Sequence, residues 1–307
     1  MTPGTPADAP VLVMLAAGMA KRYGGCKPLA PVGLHGEAVI DLNASDAASA
    51  GFGEIVVVVG PQTGPAITYH IERTWPVTVR VSLAEQSIPL GTAHAALSAR
   101  KFVGDRPFAL VNADDIYGVP ALRILVDHLR GATTHANVAY RLSDTIVTAD
   151  PVTRGTLQAD DAGNLSRMDE RKLVTRHEDG TFTAGDGREP ASLEPGTLVS
   201  VNLWGFRPGI WPVLEAAVTE VHPTVQPDGS LQGEPASDDE VLLPEVVGSM
   251  VAGRPAGGGD VQTVAVLHGP GRCIGITHAD DLPVVRTELA VMVGRGERPE
   301  ALWESVA

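Results

Sequence analysis

The chain has 307 residues, 44% of them hydrophobic, and sets 23 Lys and Arg against 37 Asp and Glu for a formal net charge of −14. That length and apolar content supply the core of one large domain or two modest ones and set disorder aside. The acidic balance argues against non-specific nucleic-acid binding and requires any phosphate site to be local.

The first ten residues, MTPGTPADAP, have neither a basic n-region nor an apolar h-region and read as a flexible tail. Nowhere do eighteen apolar residues run together, so no membrane span is expected. From residue 11 to residue 144 short apolar runs alternate with segments of helical spacing, the pattern of an α/β fold. Strands are expected over residues 11–16, 54–60, 77–83, 107–112 and 136–141, and helices over 38–50, 66–74, 92–102 and 120–130. Gly51 and Gly53 stop a helix before the apolar run 55–59, and Gly91 opens one whose small face, Ala93, Ala95, Ala96 and Ala99, suits close packing on a sheet. The order implies a doubly wound, mostly parallel sheet whose strand ends and following loops share one edge, where ligands bind in open α/β sheets.

Over residues 145–198 Asp160, Asp161, Gly163, Asn164, Gly180, Gly185, Asp186, Gly187, Pro190 and Pro195 break up any long element, which reads as a hairpin-rich insertion. Beyond it, strands are expected over 198–206 and 261–267, helices over 210–221 and 240–251, and loops over 223–239 and 253–260. Residues 11–144 are thus expected to form an α/β core, and residues 145–307 an insertion followed by the completion of the same domain. Cys26 and Cys273 lack C-x-x-C or Cys/His metal spacing, so neither a disulfide framework nor a zinc site is indicated and a cytoplasmic setting fits.

The stretch VLVMLAAGMAKRYGGCKPLAPVG, residues 11–33, is the most informative. Small residues Ala17, Gly18 and Ala20 follow an apolar strand and leave the backbone open to phosphate oxygens, while Arg22 and Lys27 bring positive charge to the same loop. A guanidinium grips phosphate as a fork and an ammonium acts as a point charge, so the pair suits a polyphosphate. The loop is not a P-loop, because Gly25 is followed by Cys26, Lys27 and Pro28. Nor is it a dinucleotide fingerprint, whose second glycine would stand at Ala20.

Together with EQSIPLGTAHAAL, residues 85–97, and PFALVNADDIYG, residues 107–118, this loop makes the chain resemble the sugar-1-phosphate nucleotidyltransferases, the NDP-sugar pyrophosphorylases. The resemblance spans nearly the whole chain. It implies a Rossmann-like, doubly wound sheet with a β-rich sugar-binding insertion, and conversion of an NTP and a sugar 1-phosphate, or a sugar-like cyclitol phosphate, to an NDP-sugar and pyrophosphate with Mg2+ as cofactor. It implies that Ala16, Ala17, Gly18, Met19 and Ala20 lie along the nucleotide, that Arg22 contacts the departing β and γ phosphates, and that Lys27 neutralises the α-phosphate during attack. Gln86, Gly91 and Thr92 match the positions that meet the base, although Gln86 would equally cap the helix at Thr92.

Asp114 matches the metal aspartate at the end of a buried strand. Asn112, Asp115, Glu170, Arg171 and Asn202 match positions on the sugar phosphate, with Asp115 free to bond the loop instead and the 168–172 match loose. The second metal aspartate of many members has Gly275 at its position, so either Asp280 or Asp281 reaches back, or one carboxylate and water complete the shell. His278 reads as structural or as a phosphate contact. The partners implied are the two substrates, with no nucleic acid and no membrane, and a homo-oligomer is admitted. Other readings are transfer to a non-sugar phosphate acceptor, or a nucleotide sensor without turnover.

Overall fold

The computed structural model describes residues 9–18, 23–146, 150–235, 237–276 and 278–303. Met19, Ala20 and Arg22, expected on the triphosphate, lie outside the described residues. Strands β1 (Val11–Ala16), β2 (Glu54–Val59), β3 (Val81–Glu85) and β4 (Phe108–Asn112) run parallel in the order β4-β1-β2-β3. Their apolar runs are continuous because helices cover both faces. Val11, Val13, Val56 and Val58 enter one core with α3 (Thr92–Ser98), α6 (Ile210–Val221) and α7 (Leu243–Val251). Leu12, Met14, Ile55 and Val57 enter the other with α1 (Val39–Ala50), α2 (Gly64–Thr74) and α5 (Val119–Gly131). This is the mixed, mostly parallel-cored, Rossmann-like fold that the alternating pattern implies.

The sheet continues through antiparallel strands. β6 (His135–Arg141) lies along one edge of β11 (Leu198–Phe206), and its other edge pairs in parallel with β12 (Val264–His268). The opposite edge of β11 carries β7 (Val152–Ala159) beside Val199 and Ser200, then β4 beside Trp204 to Phe206. β7, β8 (Leu165–Arg176), β9 (Phe182–Ala184) and β10 (Ser192–Leu193) form an antiparallel meander at the sheet's end, as the turn-rich composition of 145–198 implies. A gap therefore opens on β11 between the end of β4 and β7, where the register shifts between Ser200 and Trp204.

Some elements differ from expectation. β3 begins at Val81 rather than residue 77, because Pro76 precedes a fully exposed Val77. The helix over 92–102 divides at Ala99 into α3 and the single turn α4 (Arg100–Val103). α7 starts at Leu243, where the Leu243 N–H donates to the Thr92 hydroxyl at 2.8 Å and Pro244 fits the first turn. β12 starts at Val264, with Val261 exposed.

Two features carry no expectation at all. A two-residue ladder joins β5 (Asp115–Ile116) to β13 (Ile274–Gly275), and α8 (Leu282–Gly294) packs Val285 and Leu289 onto Ile116, Ile274 and Ile276. That third core ties the C-terminal segment to the end of β4.

Candidate active site

β1 delivers its last residue, Ala16, buried, to the carboxyl edge of the parallel sheet, where the order turns from β1 toward β4. This is the crevice at which open α/β sheets bind ligands. The Thr63 hydroxyl donates to the Ala16 carbonyl at 2.9 Å, and Gly60 lets the next turn lie close: a Cβ there would stand 2.8 Å from the Ala17 oxygen. Ala17 is half-buried and Gly18 exposed. The chain returns in a 3-10 turn, Lys27–Leu29, and the Lys27 ammonium donates to Asp114 Oδ2 at 2.9 Å and to the Ile276 carbonyl at 2.7 Å. With 17% of its side chain exposed, Lys27 is held by β4's end and the C-terminal segment together.

Asp115 follows Asp114 and is fixed from three sides. The Asn112 amide donates to its Oδ2 at 2.8 Å and the Asn43 amide to its main-chain carbonyl at 2.7 Å. Across the β5–β13 ladder its partner is Gly275, and a Cβ at that position would collide with Asp115 Oδ1. The space a second aspartate would occupy is thus filled by the Asp115 carboxylate. Burial and the neighbouring Asp114 charge push the Asp115 carboxyl up to about 6, against the Asn112 hydrogen bond and the Arg154 and Lys27 charges. Asp281 Oδ2 accepts the His278 N–H at 2.7 Å and caps the turn before α8, and the His278 ring faces Asp150 at 3.8 Å.

Asn202 sits in the register shift of β11 with φ +58°, a left-handed conformation that asparagine tolerates better than most residues. Its Oδ1 accepts from the Trp204 indole at 3.1 Å and its amide donates to Asn112 Oδ1 at 3.4 Å. A polar chain thus runs from the core through Asn202 and Asn112 to Asp115.

The gap beside Asn202 opens into a cavity of 660 Å³ lined by Asn112, Asp115, Glu170 and Asn202, by the insertion and by one face of α7. Its cations are Arg154, Arg167 and Arg254. Arg154, absent from the sequence expectations, is half-buried on β7; a lone arginine in a turn-rich insertion gives no local signal that separates it from a solvated one.

Other expected residues are placed elsewhere. Arg171 is turned away from this cavity: its guanidinium meets Asp186 at 2.7 and 3.1 Å and donates to the Arg188 and Pro190 carbonyls, with 6% of the side chain exposed. That pair holds the Asp186 carboxyl well below the usual carboxylate range, so the phosphate contact expected of Arg171 does not fit. Gln86 is buried; its amide donates to the Gly91 carbonyl at 3.0 Å and to His94 Nδ1 at 3.2 Å. Gly91, at φ +94°, has the Val241 backbone where a side chain would be, and Thr92 caps α7. Gly91 and Thr92 thus tie Val241 and Leu243 to the sheet edge, and Gln86 braces Gly91 and His94 beside them.

Residues 12–157 match the family model of the MobA-like NTP transferase domain. The low-salt glycan biosynthesis nucleotidyltransferase Agl11 of Haloferax volcanii is 28% identical over 164 residues, 52% of this chain and 44% of that protein. The bifunctional protein GlmU of Cupriavidus metallidurans is 30% identical over 161 residues, 52% of this chain and 33% of that protein. Each alignment therefore spans less than half of the curated relative. The solved inositol-1-phosphate CTP transferase from T. maritima superposes with a TM-score of 0.61 at 13% identity, over 92% of this chain and 96% of that one, and shares the fold. Residues 12–157 thus resemble a MobA-like NTP transferase domain, and nearly the whole chain shares the fold of that solved structure.

Proposed function

We propose that the protein transfers a nucleotidyl group from an NTP to a sugar 1-phosphate or a cyclitol phosphate and releases pyrophosphate. The observation that carries this reading is the Lys27–Asp114 pair at the sheet's carboxyl edge, with the 660 Å³ polar cavity opening beside Asp115. An acceptor phosphate oxygen attacks the α-phosphorus, the bond to the bridging oxygen breaks, and pyrophosphate leaves. The attacking oxygen is already anionic, so no general base is required. Lys27 neutralises charge gathering on the α-phosphate, the electrostatic term expected to dominate such transfers.

In this reading the loop after β1, with Ala17 and Gly18, follows the triphosphate and Arg22 takes the departing phosphates. Asn112, Glu170 and Asn202 meet the acceptor's hydroxyls. Gly91 and Thr92 shape the base side by holding Val241 and Leu243 in place, and Gln86 by bracing Gly91 and His94.

Mg2+ is the metal we assign. Among the described residues no group of three His, Cys, Asp or Glu side chains converges. Adjacent carboxylates at Asp114 and Asp115 suit an ion that takes one or two protein oxygens and completes its shell with water and substrate phosphates. They would hold it, and when bound it lowers the repulsion between two anionic reactants. Among the described residues no helix is long and apolar enough to cross a membrane. A reducing cytoplasm fits the two free thiols, Cys26 and Cys273.

The test is pyrophosphate release with ATP, CTP, GTP, UTP and dTTP against sugar and cyclitol phosphates, with and without Mg2+. Release that requires one NTP, one acceptor and the metal is expected. Tight NTP binding without release for any acceptor would instead identify a sensor.

A further inference from the structure

The geometry points to Arg154 as the residue that grips the phosphate of the acceptor, an inference that rests on the transferase reading. Arg154 is opposite Arg171 in the β7–β8 ladder, but only Arg154 lines the 660 Å³ cavity. Its Nε donates to the Thr145 hydroxyl at 3.1 Å, Nη2 to the Thr145 carbonyl at 2.7 Å and Nη1 to the Thr153 carbonyl at 2.9 Å. A guanidinium has five N–H groups, so these three bonds fix its plane and leave one N–H on each terminal nitrogen. Two such groups form the fork that binds two oxygens of a phosphate.

The charge on this fork is also unclaimed. Among the described residues Arg154 has no carboxylate within ion-pair distance, whereas Arg167 on the same wall meets Asp169 and Arg171 meets Asp186. Arg254 is exposed at the rim. Arg154 and Asp115 line the same cavity, so the fork opens into the space that adjoins the Lys27–Asp114 pair. A phosphate monoester held there presents its ester group to the cavity, where Glu170 and Asn202 stand, and its free oxygens toward the reacting edge. The ligand class is therefore a phosphate monoester of a polyol, recognised at the phosphate by Arg154.

Calorimetric titration of the whole protein with Mg2+ tests this, using myo-inositol 1-phosphate and glucose 1-phosphate as probes beside myo-inositol and glucose. At least one ester should bind and its parent polyol should not. Arg154→Gln should weaken that ester at least about tenfold, the scale of a lost charge-assisted hydrogen bond, while NTP affinity stays within about twofold. Arg154→Lys should recover part of the loss, because the charge returns without the fork. Unchanged ester affinity in Arg154→Gln, or no ester binding by the unmodified protein, would overturn the assignment. Equal weakening of NTP and ester would show a damaged fold and also overturn it. Arg154-dependent ester binding without pyrophosphate release from any NTP would sink the transferase reading alone and leave the assignment standing.

Discussion

Gln86, Gly91 and Thr92, on the base side in the proposed reading, make their hydrogen bonds and close contacts inside the protein, whereas Arg154 and Glu170, on the proposed acceptor side, face an open cavity. The first region is a braced wall: sheet edge, α3 and the 229–243 segment are bolted together by buried polar groups. The second is a gap between strands, floored by a left-handed asparagine. The contrast tracks the comparisons, since the family model ends at residue 157 and leaves most of the cavity's lining outside it. In the proposed reading the nucleotide is met on the braced side, and acceptor identity is set by cavity walls that lie mostly beyond the matched region.

The largest expected effect lies between the two regions. Lys27→Ala should lower turnover by about two to three orders of magnitude, the scale of one lost charge-stabilising donor, with KM for the acceptor little altered. Undiminished turnover would remove Lys27 from the reaction. Asp114→Asn should abolish the Mg2+ dependence of activity, and an unchanged Mg2+ titration would refute its role as ligand.

On the acceptor side, Asn202→Gly keeps the backbone at φ +58° open to the chain while deleting the amide that bridges Trp204 to Asn112. KM for the acceptor should rise roughly tenfold, as for hydrogen bonds lost at a binding site, and KM for NTP should not move. A shift in NTP KM instead would show that the two regions are not separable.

Much of this arrangement is legible in the sequence, for a physical reason. Strands buried on both faces must be apolar throughout, so VLVMLA and EIVVVV announce themselves, and a local motif sets the spacing around Lys27 and Asp114. Non-local pairing leaves no such trace. The β5–β13 ladder joins residues about 160 positions apart through two residues each, and nothing in the composition of either segment forecasts it. Arg154 and Arg171 are cross-strand neighbours, and only Asp186, brought in by the connection between β9 and β10, decides that Arg171 is consumed in an ion pair. Gln86 likewise has one sequence signal and two physical uses, at the base or at the loop.

Substituting Gln86 separates those uses. If the glutamine is a brace, Gln86→Ala should raise KM for every NTP by a similar, modest factor, near fivefold to tenfold, as one or two buried hydrogen bonds worth about 1 kcal/mol each are lost. A change in which base is preferred, with the preferred NTP losing most, would instead place the Gln86 amide on the base and dissolve the contrast between a braced wall and an open cavity.

The smallest effect concerns pH and the same brace. His94 Nε2–H donates to the Gly229 carbonyl at 2.9 Å, so Nδ1 is the bare nitrogen that accepts from the Gln86 amide at 3.2 Å. Burial lowers the His94 pKa below its ordinary value of about 6.5, with the backbone carbonyls of Gly229 and Ile88 opposing and His222 adding to the shift. The folded state therefore binds fewer protons than the unfolded one just below that value. The stability that neutral His94 contributes is complete above about pH 6.5 and declines as the pH falls, because stability rises with pH wherever the unfolded chain holds more protons. Protonation places an N–H on Nδ1 against the Gln86 amide, two donors head to head, and should loosen residues 229–241 before the sheet. Amide exchange, corrected for its intrinsic pH dependence, should become faster in that segment at pH 5.5 than at 7.5 while β2 stays protected. His94→Gln should flatten the difference. Equal protection of 229–241 at both pH values would show that the brace does not depend on a neutral His94.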